Sequence, residues 1–194
     1  MDRFDARAVE VMLGRAPRGD CKVARRCHHG LPAVVQVPPV LPGGEPFPTL
    51  YWLTCPLAVR RVGRVEDAGG VREMTEAMEL AAADADYARR RDAVLAELVG
   101  AGRVAAGAPV PAGGVGGAHG TAKCLHGRYA FWLVDGDDPA GAETARRVGV
   151  LDCSAPCVDE AEPARVRIQR GGRRGLGPRL CPDAPPARDA VFGR

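Results

Sequence analysis

Three separated segments of this chain set a cysteine beside a turn signal: Arg26-Cys27-His28-His29-Gly30, Leu53-Thr54-Cys55-Pro56 and Lys123-Cys124-Leu125-His126. Thiolate and imidazole are ligands that zinc takes in a tetrahedron of four. Cys27, Cys55, Cys124 and His126 are therefore candidate ligands of one zinc ion, with His28 in reserve. Such an ion would staple a domain in which aromatic residues make up only 5% of the chain, because metal binding supplies folding free energy. On a regular helix, residues two apart point to nearly opposite sides. Cys124 and His126 can then meet one ion only where a helix is starting, which the glycines before them allow. Cys153 and Cys157 are further reserves, and if they fold back, four thiols become available for an iron–sulfur cluster.

A different chemistry is open to the same residues. Gly113, Gly114, Gly116, Gly117 and Gly120 run toward a helix start, where exposed N–H groups and the helix dipole favour an anion or a thiolate. Cys124 is then a candidate nucleophile, Lys123 and His126 its activating or proton-carrying neighbours, and Gly116, Gly117 and Gly120 the anion-binding positions. The loop departs from the P-loop pattern, because Thr121 and Ala122 separate Gly120 from Lys123. The plain alternative is that each thiol simply packs, since free cysteine is among the most buried residue types.

Composition narrows the classes. The net charge is +3, and residues 160–194 carry eight arginines against four acidic residues, so the preceding body is close to neutral. That disfavours a nucleic-acid-binding face in the body and leaves the basic tail as a possible contact for a protein partner. Seven cysteines is an odd number, and the N-terminus, Met1-Asp2-Arg3-Phe4-Asp5, has no apolar leader pattern. No stretch approaches the ~18 uninterrupted apolar residues of a membrane helix. The expected setting is a reducing cytoplasm, with thiols serving as ligands, nucleophiles or packing.

The elements that would position these residues follow from periodicity and punctuation. Phe4 to Leu13 reads as a helix closed by Gly14. Cys21 to Ala24 reads as a brief strand, Ala33 to Val37 as an edge strand limited by Pro32 and Pro38, and Thr49 to Thr54 as its partner. This hairpin would bring Cys27 and Cys55 together. Leu57 to Val99 is helical, with Gly69-Gly70 as a break, and Arg60, Arg61, Arg64, Arg89, Arg90 and Arg91 read as solvated faces. Residues 100–120 read as a mobile or close-approach loop. Thr121 or a nearby residue opens a further helix carrying Cys124 to Val134, Asp137-Asp138-Pro139 stops it and starts the next through an Asp cap, and that last helix, Ala140 to Val148, ends near Gly149. Tyr51, Trp52, Phe131 and Trp132 are candidate core. The fold class is α+β: a small antiparallel hairpin or three-stranded sheet packed against four or five α-helices. Residues 1–158 would form one domain and 159–194 an Arg/Pro/Gly-rich disordered tail.

Several motifs stand in a familiar order: Leu13-Gly14-Arg15, Pro17-Arg18-Gly19, Arg26-Cys27 with Gly30 and Pro32, Pro46 to Tyr51, Leu53 to Pro56, Arg72-Glu73-Met74-Thr75 and Lys123 to His126. In this order the chain resembles the DUF501 family of uncharacterised bacterial proteins, over roughly Val9 to Gly141. The resemblance implies no activity. It places Cys27, Cys55, Cys124 and His126 on family motifs, while His28 and His29 fill positions where the family pattern would have Pro and a variable residue. Cys153 and Cys157 lie outside the matched part.

Overall fold

A computed structural model describes residues 1–159 and 187–193. Its backbone order is α1 (Arg3–Leu13), β1 (Lys22–Arg26), β2 (Pro32–Gln36), β3 (Tyr51–Leu53), α2 (Pro56–Asp67), α3 (Gly70–Ala77), α4 (Ala81–Gly100), α5 (Leu125–Leu133) and α6 (Pro139–Val148). Short 3-10 turns occur at Val115–Gly117 and Arg188–Ala190. This is the expected α+β class, with six helices among the described residues.

The three strands form one antiparallel sheet in the order β1-β2-β3. The strand expected at the edge, β2, is the central one. Its prolines do not prevent this, because Pro32 opens the strand and Pro38 lies beyond Gln36, so neither removes a donor from the ladder interior. Residues 32–35 are buried without alternation because both faces are covered. Val34 joins the main core, with Leu53, Leu57, Met74, Leu125 and Phe131. Val35 joins a smaller cluster with Val9 of α1 and Cys21. The sheet thus lies between α1 and the remaining helices. Tyr51, Phe131 and Trp132 are buried as expected, and Tyr51 stacks on Phe131 with ring centroids 6.1 Å apart.

Local chemistry sets the helix ends. Gly14 closes α1 in the left-handed conformation at φ 69°, and Asp138 caps α6 by accepting the Gly141 N–H at 2.8 Å, with Pro139 in the first turn. Not every arginine read as solvated is so. Arg61 is buried and donates to the Val148 and Val150 carbonyls at 3.2 and 2.6 Å. It thereby satisfies acceptors that the end of α6 leaves open. Arg91 is buried and donates to the Gly113 carbonyl at 2.6 Å.

Of the expected disordered tail, residues 160–186 lie outside the described residues. Residues 187–193 depart from the expectation. Val191 and Phe192 are buried, and the Leu151 N–H donates to the Val191 carbonyl at 2.6 Å. No helix among the described residues is long and apolar enough to cross a membrane.

Candidate functional site

Cys124 is the cap residue of α5, in extended backbone, and His126 is the second residue of the helix. The helix start therefore frees the two side chains from opposing faces, as the sequence required. Both meet α2. The His126 Nε2–H donates to the Val59 carbonyl at 3.0 Å, and Nδ1 lies 3.2 Å from Glu66 Oε2. Val59 and Glu66 are seven residues apart and share one stripe of α2. The other carboxylate oxygen of Glu66 accepts the Leu125 N–H at 2.7 Å, which fixes the carboxylate against the start of α5. One ligand atom from each of Glu66, Cys124 and His126 lies within 4.8 Å of the other two, and all three residues are half-buried.

The three groups shift one another's protonation. Burial alone would raise the Cys124 thiol, yet His126 beside it and the Gly127 amide bring it below its ordinary value. Glu66 is lowered despite burial, through His126 and the amides at the start of α5. Burial would pull His126 down, but hydrogen bonds to Cys124 and Glu66 and the carboxylate charge push it up to about 10. With Nε2–H committed to a carbonyl, the proton on Nδ1 sits between imidazole and carboxylate, the place a cation would take.

Residues 23–146 match the family described as a protein of unknown function, DUF501. The chain belongs to the DUF501 family. No curated protein and no solved structure matches it.

The four ligands expected from this DUF501 sequence do not converge. Cys55 caps the end of α2 opposite Glu66, about 16 Å along the axis at 1.5 Å per residue. Cys27 follows β1 in the turn to β2, where its carbonyl accepts the Gly30 N–H at 2.9 Å. As the hairpin predicts, Cys27 and Cys55 stand at the same end of the sheet, flanking the start of β2. Cys124 and His126 pair instead with Glu66, which sequence reasoning missed. The available signal was the stripe shared by Val59 and Glu66. His28, the reserve ligand, and His29 both point Nε2 at the Cys153 carbonyl, at 2.9 and 3.0 Å.

The glycine loop has an anion of its own. The Val115 and Gly120 amides donate to the two oxygens of Asp84, at 3.2 and 2.8 Å. The Gly117 and Ala118 amides donate to the Gly114 and Val115 carbonyls. Gly116, Gly117 and Gly120 hold positive φ of 61°, 76° and 70°, which lets the chain fold around that carboxylate. The loop reads as a close-approach segment whose Gly114, Val115, Gly117, Ala118 and Gly120 amides donate inside the protein, and Lys123 Nζ lies over Gly117.

Proposed function

We propose that Glu66, Cys124 and His126 bind a zinc ion, and that this DUF501 protein acts through the coordination position they leave open. The observation that carries the reading is the convergence of a thiol, an imidazole and a carboxylate within 4.8 Å, with the imidazole and the carboxylate each held from behind. The separation of 3.2 Å between His126 Nδ1 and Glu66 Oε2 fits the edge of a tetrahedron with bonds of 2.0–2.1 Å, roughly 3.3 Å. A ligating histidine ordinarily donates its other ring N–H to a carbonyl or carboxylate, and a ligating carboxylate is itself hydrogen-bonded. The Val59 carbonyl and the Leu125 amide supply both here.

Three protein ligands with the fourth position accessible is the pattern of zinc sites that do chemistry, whereas four-ligand sites are closed. His126 and Glu66 side chains retain 28% and 27% exposure, which supports access from solvent. Zinc bound there would supply Lewis-acid polarisation of an oxygen on the substrate or an acidified water. Free thiols suit a reducing cytoplasm, the compartment we assign to the protein. Elemental analysis of untagged chain tests the reading. Zinc near one per chain should be present, fall at least tenfold in Cys124→Ser and Glu66→Gln, and persist in Cys27→Ser. Wild-type protein that stays zinc-free when zinc is added overturns it.

A second reading uses the same residues without metal. Cys124 stands at the N-terminal end of α5 beside His126, a setting that favours a thiolate nucleophile. It predicts zinc-free protein whose Cys124 reacts with iodoacetamide at neutral pH much faster than free cysteine, and more slowly after Glu66→Gln.

A further inference from the structure

Four of the remaining cysteines gather at one end of the sheet, apart from Cys124. Cys27 opens the β1–β2 connection, and Cys55 leaves β3 with its N–H on the Ala33 carbonyl at 3.3 Å. The chain after α6 returns to the same place. Arg61 holds it through the Val148 and Val150 carbonyls, and the neighbouring rings of His28 and His29 hold the Cys153 carbonyl. Cys153 and Cys27 pack on the main core that contains Cys55, and Cys27 packs with Cys157 on the adjoining cluster of Ala8, Leu31 and Val158. Cys27 is thus shared by both clusters and links the other three.

The electrostatics agree with this placement. Burial comes first in raising Cys55 to about 12, and negative charge on Cys157, Cys153 and Cys27 adds to it. Cys157 is raised to about 11 by burial and then by Cys27 and Cys153. An independent feature points to sulfur ligands there. The Tyr129 hydroxyl is fully buried, has no hydrogen-bond partner among the described residues, and has Cys55 and Arg61 as the titratable groups near enough to act on it. A buried hydroxyl left without an acceptor is costly, and a thiolate or an inorganic sulfide would provide one.

The spacing selects the kind of centre. Four sulfurs around a single zinc stand about 3.8 Å apart, the tetrahedral edge for 2.3 Å bonds. The group of ligand atoms that converges within 4.8 Å among the described residues, Glu66, Cys124 and His126, includes none of these thiols. A four-iron cluster gives each cysteine its own iron, so its ligand sulfurs stand wider apart. We infer that Cys27, Cys55, Cys153 and Cys157 ligate an iron–sulfur cluster of the four-iron type, with Tyr129 as a hydrogen-bond donor to its sulfur.

The test uses the full chain purified anaerobically, with iron and acid-labile sulfide assayed before and after incubation with ferrous iron, sulfide and a thiol reductant. About four irons and four sulfides per chain are expected, with visible absorption that dithionite bleaches. Cys55→Ser and Cys157→Ser should each bind less than half as much, while Cys21→Ser and Cys124→Ser keep the full content. Circular dichroism checks that the variants fold. Should Cys55→Ser not fold, the wild-type stoichiometry together with Cys157→Ser and Cys124→Ser decides the matter. No iron or sulfide after reconstitution, zinc held by these cysteines in place of iron, or full content in folded Cys157→Ser overturns the inference. Failure at Glu66 and Cys124 would be seen separately, as zinc that does not depend on Cys124.

Discussion

Arg128 shows how much a single residue holds here. It is completely buried, with Nη2 on Asp84 at 2.7 Å and on the Thr121 carbonyl at 2.6 Å, and Nη1 on Asp138 at 3.0 Å. Asp84 anchors the glycine loop and Asp138 caps α6, so one guanidinium ties α4, the loop, α5 and α6 together. Removing one partner of a buried pair leaves uncompensated charge and costs about 3–5 kcal/mol. Arg128→Leu is expected to lower stability by that amount in urea unfolding. Arg128→Lys should rescue only part of it, because a single ammonium cannot span both carboxylates as the planar fork does. An unchanged midpoint in Arg128→Leu would mean that the network adds nothing. This residue was not legible in the sequence. Arginine is normally solvated, and the partners lie 44 and 10 residues away, with no local pattern joining them. Cys124 and His126 were legible because two residues at a helix start form a local motif. Glu66 was not, because its connection to them exists only once α2 and α5 are packed.

Helix positions were easier to read than helix contacts. The Asp138-Pro139 opening, the Gly14 close and the Gly69-Gly70 break act within a few residues, so each was visible in the chain. What the glycines inside helices meet is a tertiary matter, and two of them should behave oppositely. A Cβ on Gly63 in α2 meets nothing within 4 Å, so Gly63→Ala should stabilise by about 0.5–1 kcal/mol through helix propensity. On Gly141 in α6 it would clash with the Arg128 carbonyl and stand 2.6 Å from Trp132 Cβ, so Gly141→Ala should push α6 off α5 and lower the melting temperature. Equal melting temperatures for the two variants would contradict this packing. Helix α6 is also stitched to α3 by charge. Arg147 bonds Glu73 at 3.0 Å and Glu143 at 2.6 Å. Burial would raise the Glu143 carboxyl, but Arg146 and Arg147 hold it below the usual value. A depressed folded pKa gives stability that is complete above the unfolded value of about 4.3 and lost as pH falls through the folded one. Glu143→Gln should therefore be less stable than wild type at pH 7, with the difference shrinking by pH 3 in urea titrations. A constant difference would assign the effect to packing alone.

At the scale of the molecule, the chain closes on itself late. Val191 is fully buried and Phe192 nearly so, in contact with a core otherwise made from residues before 152. The Leu151–Val191 hydrogen bond, the Arg25–Asp189 ion pair and Arg188 over the Trp132 ring at 5.3 Å fix the segment. An Arg-, Pro- and Gly-rich stretch hid this return, because two apolar residues among many breakers carry no periodicity to read. Their position gives them weight. Phe192 lines the same open cleft as Arg25, Arg26, Cys27 and His28, so the returning segment covers the cysteine-bearing end of the sheet. Truncating a buried phenylalanine to alanine ordinarily costs about 3–5 kcal/mol. Phe192→Ala is expected near the lower end of that range because 7% of the residue is exposed, and deletion of residues 187–194 should cost at least as much. Urea midpoints measure the loss. Iodoacetamide labelling of metal-free protein then locates it, with Cys27 reacting faster in the deletion and Cys21, in the separate cluster with Val9, Val35 and Val37, reacting as before. If the deletion leaves both the midpoint and the Cys27 rate unchanged, the segment does not close this end of the fold. If both change together, residues 187–193 are part of the domain, and whatever occupies the cysteine end lies beneath them.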